Sequence, residues 1–322
     1  MCEYSYFLGE EDFLVRMQEE VLPLLSAGLR EGNVLGHDGV KLYYAYLPSE
    51  KKRGTVVISH GFCEFIGKYH EMMYYYHKEG YDVYFLAHRS HGKSGGRGPV
   101  HDMVVVEHFE DYVKDFECFM KNVVLADHPA RPLTLFGHSM GGAIAAIYLS
   151  RHADVFDKAI LSSPMIRLLA GKVPIAAAKV AVWAGITAGG KQEFSPGQHG
   201  FVDTYDFENS SGQSEARYTY QLEMRKADAD YQTFGGSRQW VKEALRASAL
   251  VKEHVDRITT PILFLSASLD AKVSPEAEEE YAALLPDARF IKFPTSKHEI
   301  FNATDQTREL YYHTIFMFLA EK

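Results

Sequence analysis

The chain has 322 residues, 46% of them hydrophobic and 24% charged, an ordinary globular composition with enough length for a large core and an insertion. A net charge of −9 argues against the broad basic surface that binds a phosphate backbone, so nucleic acid is not an expected partner. Cys2, Cys63 and Cys118 have no metal-type spacing, and the acidic N-terminus lacks the features of a signal peptide, which predicts a cytoplasmic protein.

The first residues have helical spacing and are followed by a hairpin signal. Residues 10–25 predict a helix docked on the body, and Asp38-Gly39 separates two strand-like runs. The spacing places these apolar residues on one face of the helix, which packs on the body: Phe13, Leu14, Met17, Val21, Leu24 and Leu25.

Beyond the hairpin, strand-like and helical segments alternate. The strand-like runs are 55–59, 82–87, 133–136, 158–162, 261–268 and 289–293. Helical spacing occurs at 64–80, 104–125 and 305–320. This alternation predicts an α/β fold with a mostly parallel central sheet and helices on both faces.

The interval between the runs at 158–162 and 261–268 is too long for an ordinary crossover. We interpret 163–245 as a helical cap, or lid, inserted between two parts of one core, 1–162 and 246–322. Its apolar stretch 173–190 contains Pro174 and Lys179 and therefore favours a lid helix over a membrane span. Further helices are predicted at 213–227 and 237–248.

Gly137-His138-Ser139-Met140-Gly141 fits G-x-S-x-G where a strand ends and a helix begins. A serine at such a turn is strained and projects above the sheet, and the helix N-terminus offers free amides to a developing negative charge. The alternative is a Gly/Ser loop that merely closes a strand-helix turn. Ser139 is the candidate nucleophile.

A serine nucleophile needs a base and an acid, which in this arrangement follow in the order Asp, His at the ends of later strands. The strand-like run at 261–268 leads to Asp270, and the run at 289–293 leads to His298. The glutamates at 276 and 278–280 follow Ser274-Pro275 and are expected on a solvated face near a helix start.

An oxyanion hole is predicted from two backbone amides. His60-Gly61 opens a turn after the strand at 55–59, so the Phe62 amide can face the serine, and the Met140 amide is the second donor. Cys63 beside this turn is either a thiol whose alkylation lowers activity or a partly buried small residue.

Residues 85–96 allow two other interpretations, a phosphate-binding loop and a metal site. Gly92-Lys93-Ser94 follows a strand as in a phosphate-binding loop, but Ala87 stands where that pattern needs glycine, and glycines follow instead of a helix. His88 and His91 lack a third ligand at metal spacing. We expect neither a nucleotide nor a metal.

The motifs GHSMGG, SHGFCEFIGKY, AHRSHGKSGGRG and SLD with SKHEI together resemble the lysophospholipase and monoacylglycerol lipase branch of the serine α/β-hydrolases, and bacterial L2-type lysophospholipases most closely. The resemblance covers most of the chain. It implies an α/β-hydrolase fold with Ser139 as nucleophile, Asp270 as acid and His298 as base, and with Phe62 and Met140 at the oxyanion hole.

The resemblance implies a carboxylic ester hydrolase that cleaves the acyl ester of a lysophospholipid or monoacylglycerol through an acyl-enzyme, without a cofactor. The lid helix is expected to hold the acyl chain and touch a membrane or micelle, or else Trp183 packs against the core. The alternatives are an esterase for short or non-lipid esters, a lysolipid acyltransferase, and a receptor that binds without turnover. The cap has no cationic cluster that selects one head group.

Overall fold

The computed structural model of the protein describes residues 4–169, 171 and 173–321, so Cys2 lies outside the described residues. These residues form a sheet in the order β1-β2-β4-β3-β5-β6-β7-β8. The strands are β1 (Arg30–Leu35), β2 (Lys41–Leu47), β3 (Gly54–Ser59), β4 (Tyr81–Leu86), β5 (Leu133–His138), β6 (Lys158–Ser162), β7 (Ile262–Ala267) and β8 (Ala288–Phe293). The pairs β1/β2 and β2/β4 are antiparallel and all other neighbours are parallel, which confirms the predicted hairpin and the mostly parallel sheet.

Helices precede, connect and follow the strands. The α-helices are α1 (Phe13–Arg16), α2 (Leu22–Gly28), α3 (His70–Glu79), α4 (Glu110–Phe119), α5 (Met140–Arg151), α6 (Ile175–Thr187), α7 (Glu215–Ala227), α8 (Arg238–Leu250), α9 (Pro275–Ala282) and α10 (Asp305–Ala320). Turns of π-helix occupy Met17–Val21 and Met120–Val124, and 3-10 turns occupy Ile66–Tyr69, Leu125–Asp127, Ala229–Tyr231, Val255–Arg257 and Ile300–Asn302.

The central strands are apolar on both faces because each face packs against a layer of helices. In β3, Val57 points into one core while Val56 and Ile58 point into the other. Helices α4, α5, α8 and α9 contribute to the first core, and α3 and α10 contribute to the second. The unbroken runs of β-branched and aliphatic residues are the sequence signature of this double burial.

The N-terminal helical segment packs on the second core through residues spaced by four. Phe13, Met17, Val21 and Leu25 are buried there, whereas Leu14 is 44% exposed. The prediction that Leu14 lies on the buried face is therefore wrong. The wider π turn at Met17–Val21 keeps residues spaced by four on one face, and Leu14, one position after Phe13, lies off that face.

The helix predicted at 104–125 begins later than expected, at Glu110. Val104 instead forms a β-bridge with Gly236, and Asp111 accepts the amide of His108 just before the helix. The bridge to the segment before α8 therefore keeps Val104 out of the helix, which begins at Glu110.

Helices α6, α7 and α8 lie between β6 and β7, and the described residues contain no strand of the sheet in this interval. The predicted boundary at 245 falls within α8, and the division into core and cap stays a prediction. No helix among the described residues is long and apolar enough to cross a membrane.

Candidate active site

The predicted site residues meet at one edge of the sheet because each follows a parallel strand. Ser139 follows β5, Asp270 follows β7, His298 follows β8 and Phe62 follows β3. The carboxyl ends of parallel strands lie on the same side of a sheet, which is where ligands bind in open α/β folds. Ser139 and Asp270 are each 9% exposed and His298 is 7% exposed.

Ser139 occupies a strained turn between β5 and α5. Its backbone has φ 53° and ψ −119°, a conformation that non-glycine residues rarely adopt. Its N–H donates to Ser162 O at 3.2 Å, and its carbonyl accepts the amide of Met165 at 2.8 Å, so the neighbouring β6 end holds the turn. The strained serine at a strand-helix junction matches the predicted nucleophile turn.

The glycines around Ser139 allow α5 to approach the sheet closely. A Cβ on Gly141 would lie 2.1 Å from Ser59 O, and a Cβ on Gly137 would lie 2.9 Å from Gly142 Cα. A Cβ on Gly142 would lie 2.5 Å from Pro164 Cβ. Contacts this close with the backbone cannot give way, so the motif needs glycine for packing.

Asp270 and His298 form a direct hydrogen bond. His298 Nδ1 lies 2.5 Å from Asp270 Oδ2, while Asp270 Oδ1 accepts the amides of Lys272 at 2.7 Å and Val273 at 3.0 Å. Burial raises the pKa of Asp270, but the attraction of His298 and these hydrogen bonds outweigh burial, and the pKa lies below its usual value. The carboxylate is thus held ionised and aimed at the ring.

The structure does not join the serine to this pair by a hydrogen bond. Among the described residues, Ser139 Oγ makes no hydrogen bond with His298. The ring of His138 packs 4.9 Å from the ring of His298, and His138 Nδ1 lies 3.0 Å from Ser162 O. Burial lowers the pKa of His138 to about 4, so this neighbour of the site is neutral at pH 7.

The two predicted oxyanion donors are both available. Met140 is the first residue of α5, and Phe62 lies in the turn after β3. Within the described part of the chain, neither backbone N–H donates a hydrogen bond. Free amides at the edge that carries Ser139 are suited to donate hydrogen bonds to a negatively charged oxygen.

A buried ionic cluster that the sequence analysis missed lies behind the site. Lys68 Nζ is 2.8 Å from Glu64 Oε1 and 2.6 Å from Glu299 Oε1. Glu64 Oε2 also accepts the amide of Gly61 and the hydroxyl of Tyr69, each at 2.5 Å. Lys68 therefore connects the turn that carries Phe62 with the residue next to His298.

The charges in this cluster stabilise one another. Burial raises the pKa of Glu64, but Lys68 and His138 outweigh it and the pKa lies well below its ordinary value. Burial lowers the pKa of Lys68, but Glu299 and Glu64 outweigh it and the pKa is raised. Glu64 and Lys68 have the i, i+4 spacing of a helical ion pair, which was the available sequence signal, whereas nothing local pointed to Glu299.

Of the glutamates at 276 and 278–280, which were expected on a solvated face, Glu278 is buried. Ser274 caps α9 by accepting the amide of Ala277, and Pro275 is the first helical residue, as predicted. Glu278 is not on a solvated face: it is fully buried and bonded to Ser266 on β7. Burial raises its pKa well above the ordinary value, which favours the neutral carboxyl, and its Oε2 accepts the hydroxyl of Ser266.

The histidines after β4 form a packed cluster. The cluster consists of His60, His88 and His91; the ring centroid of His60 is 4.6 Å from that of His88 and 5.2 Å from that of His91. Both nitrogens of His60 are used, by Gly61 O at 2.7 Å and the His88 amide at 2.9 Å. No helix begins after Gly92-Lys93-Ser94 before Glu110, so that stretch lacks the helix N-terminus of a phosphate site.

One group in the described residues has metal-like spacing, formed by His37, Asp38 and Asp115. The guanidinium of Arg89 already occupies it, with Nε 2.6 Å from Asp115 Oδ2 and Nη1 3.0 Å from Asp38 Oδ2. An arginine that neutralises both carboxylates gives this group a structural explanation.

Cys63 is partly buried with φ 59°. Burial raises the pKa of its thiol to about 12, so the reactive thiolate is scarce at neutral pH. This favours the interpretation of Cys63 as a small packing residue over that of an alkylation-sensitive thiol.

The strand order, the helical layers and the serine turn define an α/β-hydrolase. The chain belongs to the Hydrolase_4 family, described as serine aminopeptidase, S33, whose model matches residues 50–305. The predicted fold and family are thereby confirmed.

Three comparisons describe what the chain is similar to. It is 34% identical over 160 residues to the monoacylglycerol lipase of Mycolicibacterium smegmatis, a match of 49% of this chain and 55% of that protein. It is 26% identical over 292 residues to lysophospholipase L2 of Escherichia coli, covering 88% and 86% of the two chains. A thermostable carboxyl esterase from Bacillus coagulans superposes with a TM-score of 0.71 at 18% identity, over 91% of this chain and 98% of that one.

Proposed function

We propose that the protein is a serine hydrolase that cleaves the acyl ester of a single-chain lipid, a lysophospholipid or a monoacylglycerol. The observation that carries the proposal is the Asp270–His298 hydrogen bond at the sheet edge where Ser139 is held at φ 53°. The names of the two sequence relatives support the lipid ester as substrate class.

Each residue has a role set by its surroundings. Asp270 fixes the proton on His298 Nδ1, which leaves Nε2 free to accept the proton of Ser139 as its oxygen attacks the ester carbonyl. The amides of Phe62 and Met140 receive the oxyanion. His298 then protonates the leaving alcohol, and water releases the fatty acid from the acylated serine. None of these steps uses a cofactor.

The cap supplies an apolar surface for the lipid. Helix α6 has only Val182 buried among its described residues, while Val180 is 64% exposed and Trp183 is 65% exposed. An exposed apolar helix that is too short to span a bilayer is suited to lie on a membrane or micelle. We therefore propose transient lipid-surface contact through α6; the cytoplasmic location stays a prediction.

Fatty-acid release from lysophosphatidylcholine and from a monoacylglycerol of equal chain length tests the proposal. The wild type should hydrolyse at least one lipid, and Ser139→Ala should lose about 10³-fold or more of that rate. Ser150→Ala, on the same helix, is the matched control and should retain activity, because the Ser150 hydroxyl donates to Ile147 O of its own helix. A wild type that cleaves only short esters would support the esterase alternative.

Product analysis separates the remaining alternatives. A diacyl product formed from two lysolipids would identify acyl transfer. Saturable lipid binding by a folded wild type without any turnover would contradict hydrolysis and favour a receptor.

A further inference from the structure

The oxyanion loop, defined as residues 60–65, contacts the cap directly. Arg225 on α7 donates from Nη2 to Cys63 O at 2.5 Å, and from Nη1 to Tyr231 O and Thr233 O, each at 2.9 Å. One guanidinium therefore joins the carbonyl of the loop to two carbonyls of the cap.

Arg225 joins these three carbonyls without an ionic partner among the described residues. No carboxylate lies within ion-pair distance of its guanidinium in the described ranges, in contrast to Arg217 on the same helix, which pairs with Glu71 at 2.6 Å. Burial lowers the pKa of Arg225. The side chain also packs over the ring of Phe65, 5.0 Å from its centroid. A partly buried cation bonded to three backbone carbonyls fixes the position of those carbonyls.

The loop carbonyl that Arg225 holds adjoins the predicted oxyanion donor. Cys63 has φ 59°, in the left-handed region that a non-glycine residue adopts only under constraint. The Phe62 amide lies two peptide planes before the Cys63 carbonyl, so a shift of the Cys63 backbone would displace the short turn that carries this donor. Glu64 fixes the opposite side of the loop through the Gly61 amide.

A second cap helix, α8, fixes the side chain of Phe62. The ring of Phe62 stacks on Trp240 of α8, with centroids 3.8 Å apart and planes at 26°. Trp240 is buried, and Ser237 caps its helix. Two cap helices thus hold Phe62 and Cys63, while Glu64 of the loop holds Gly61 and is itself bonded to Lys68 and Tyr69 of the core.

We propose that Arg225 is a positioning residue of the oxyanion hole: it seats the cap on the oxyanion loop and thereby sets the direction of the Phe62 amide. The inference rests on the proposed function. It predicts that the rate of the chemical step depends on a cap residue that does not touch the substrate.

The experiment compares Arg225→Met, Arg225→Lys and the control Lys226→Met with the wild type. Lys226 is the next residue, and its partners are Asp203 and Glu223 on the surface of the cap. The measurements are kcat and KM for p-nitrophenyl butyrate and the inhibition constant of an alkyl trifluoromethyl ketone, whose adduct with the serine places an oxyanion in the hole.

For Arg225→Met, kcat should fall about 10- to 100-fold with KM changed by less than about threefold, because one donor is misdirected but not removed. The ketone inhibition constant should rise in proportion to the loss of kcat/KM. For Arg225→Lys, both constants should lie between those of the wild type and Arg225→Met, since one ammonium cannot reach all three carbonyls. Lys226→Met should match the wild type.

Loss of rate with an unchanged inhibition constant would overturn the proposal, because it would mean only that fewer molecules are folded. Unchanged kcat in folded Arg225→Met would overturn it as well. If Arg225→Met does not fold, Arg225→Lys carries the test by the same two constants. Failure of the proposed function has another signature: no labelling of wild-type Ser139 by a fluorophosphonate and no ester hydrolysis.

Discussion

His298 Nδ1 and Asp270 Oδ2 are 2.5 Å apart, and the other oxygen of the carboxylate accepts the amides of Lys272 and Val273. The backbone therefore fixes the carboxylate, and the carboxylate fixes the ring. This order of constraint orients the imidazole before any substrate binds, which is the condition for His298 to act as a base with its Nε2.

Asp270→Asn should keep the fold and lose most of the activity. The amide preserves the shape of the side chain but no longer stabilises the ring tautomer or the imidazolium, so kcat should fall by about 10³- to 10⁴-fold. Steady-state kinetics with a soluble ester and a circular-dichroism melt check this result. Glu279→Gln, which alters an exposed pair with Lys292, is the control. Near-wild-type kcat in Asp270→Asn would remove Asp270 from the mechanism.

Lys68→Met should destabilise the protein strongly. Its side chain is 9% exposed and lies between Glu64 and Glu299, so its removal leaves two buried carboxylates without a counter-ion. Breaking a buried pair in this way costs about 3 to 5 kcal/mol in the free energy of unfolding. Urea unfolding measures the change. The exposed Lys292→Met should cost less than about 1 kcal/mol, and equal costs for both variants would refute the buried cluster.

Stability should begin to fall at mildly acidic pH. Burial lowers the pKa of His60 and of His138 from 6.5 to about 4. Between these values the unfolded chain binds protons that the folded chain does not, so the free energy of unfolding decreases as pH falls from 6.5 to 4, by about 3 kcal/mol for each histidine. Urea unfolding at pH 7.5, 6 and 5 measures the slope, which His138→Gln should reduce. A flat profile in this range would contradict the neutral buried state.

The sequence predicts the sheet and the serine turn well because both depend on local features. Strands buried on both faces need unbroken apolar runs, and a tight strand-helix turn needs glycines at fixed positions. The predicted strand positions and the helix at 305–320 are confirmed. Asp270 and His298 could be located because each follows its strand closely in the chain. Their catalytic roles, with that of Ser139, stay predictions.

Features that depend on distant contacts could not be predicted. Glu278 stands among exposed glutamates, but it shares the buried face of α9 with Ala277 and Tyr281, where it bonds to Ser266 of β7. Arg225 lies in an ordinary polar helix, and its contact with Cys63 O spans 162 positions in the chain. The predicted start of α4 is wrong because Val104 pairs with Gly236, and a helical pattern in the sequence does not reveal this contact.

The apolar surface of α6 should govern binding to lipid but not chemistry. Val180 and Trp183 are exposed, so their replacement by serine should leave stability and short-ester turnover unchanged. Each substitution removes apolar surface from the lipid contact. The partition coefficient of the double variant onto vesicles should fall by about tenfold or more. Vesicle co-sedimentation measures this effect. Val202→Ser, at another exposed valine, is the control, and equal binding by all variants would exclude α6 as the contact.

The covalent step is the central claim, and mass spectrometry tests it most directly. Wild-type protein mixed with a monoacylglycerol or lysophosphatidylcholine and quenched in acid during turnover should gain the mass of one fatty acyl group, located by peptide mapping on Ser139. Asp270→Asn should accumulate far less of this adduct. Turnover of the lipid with Ser139 unmodified, or with the acyl group on another residue, would contradict the account.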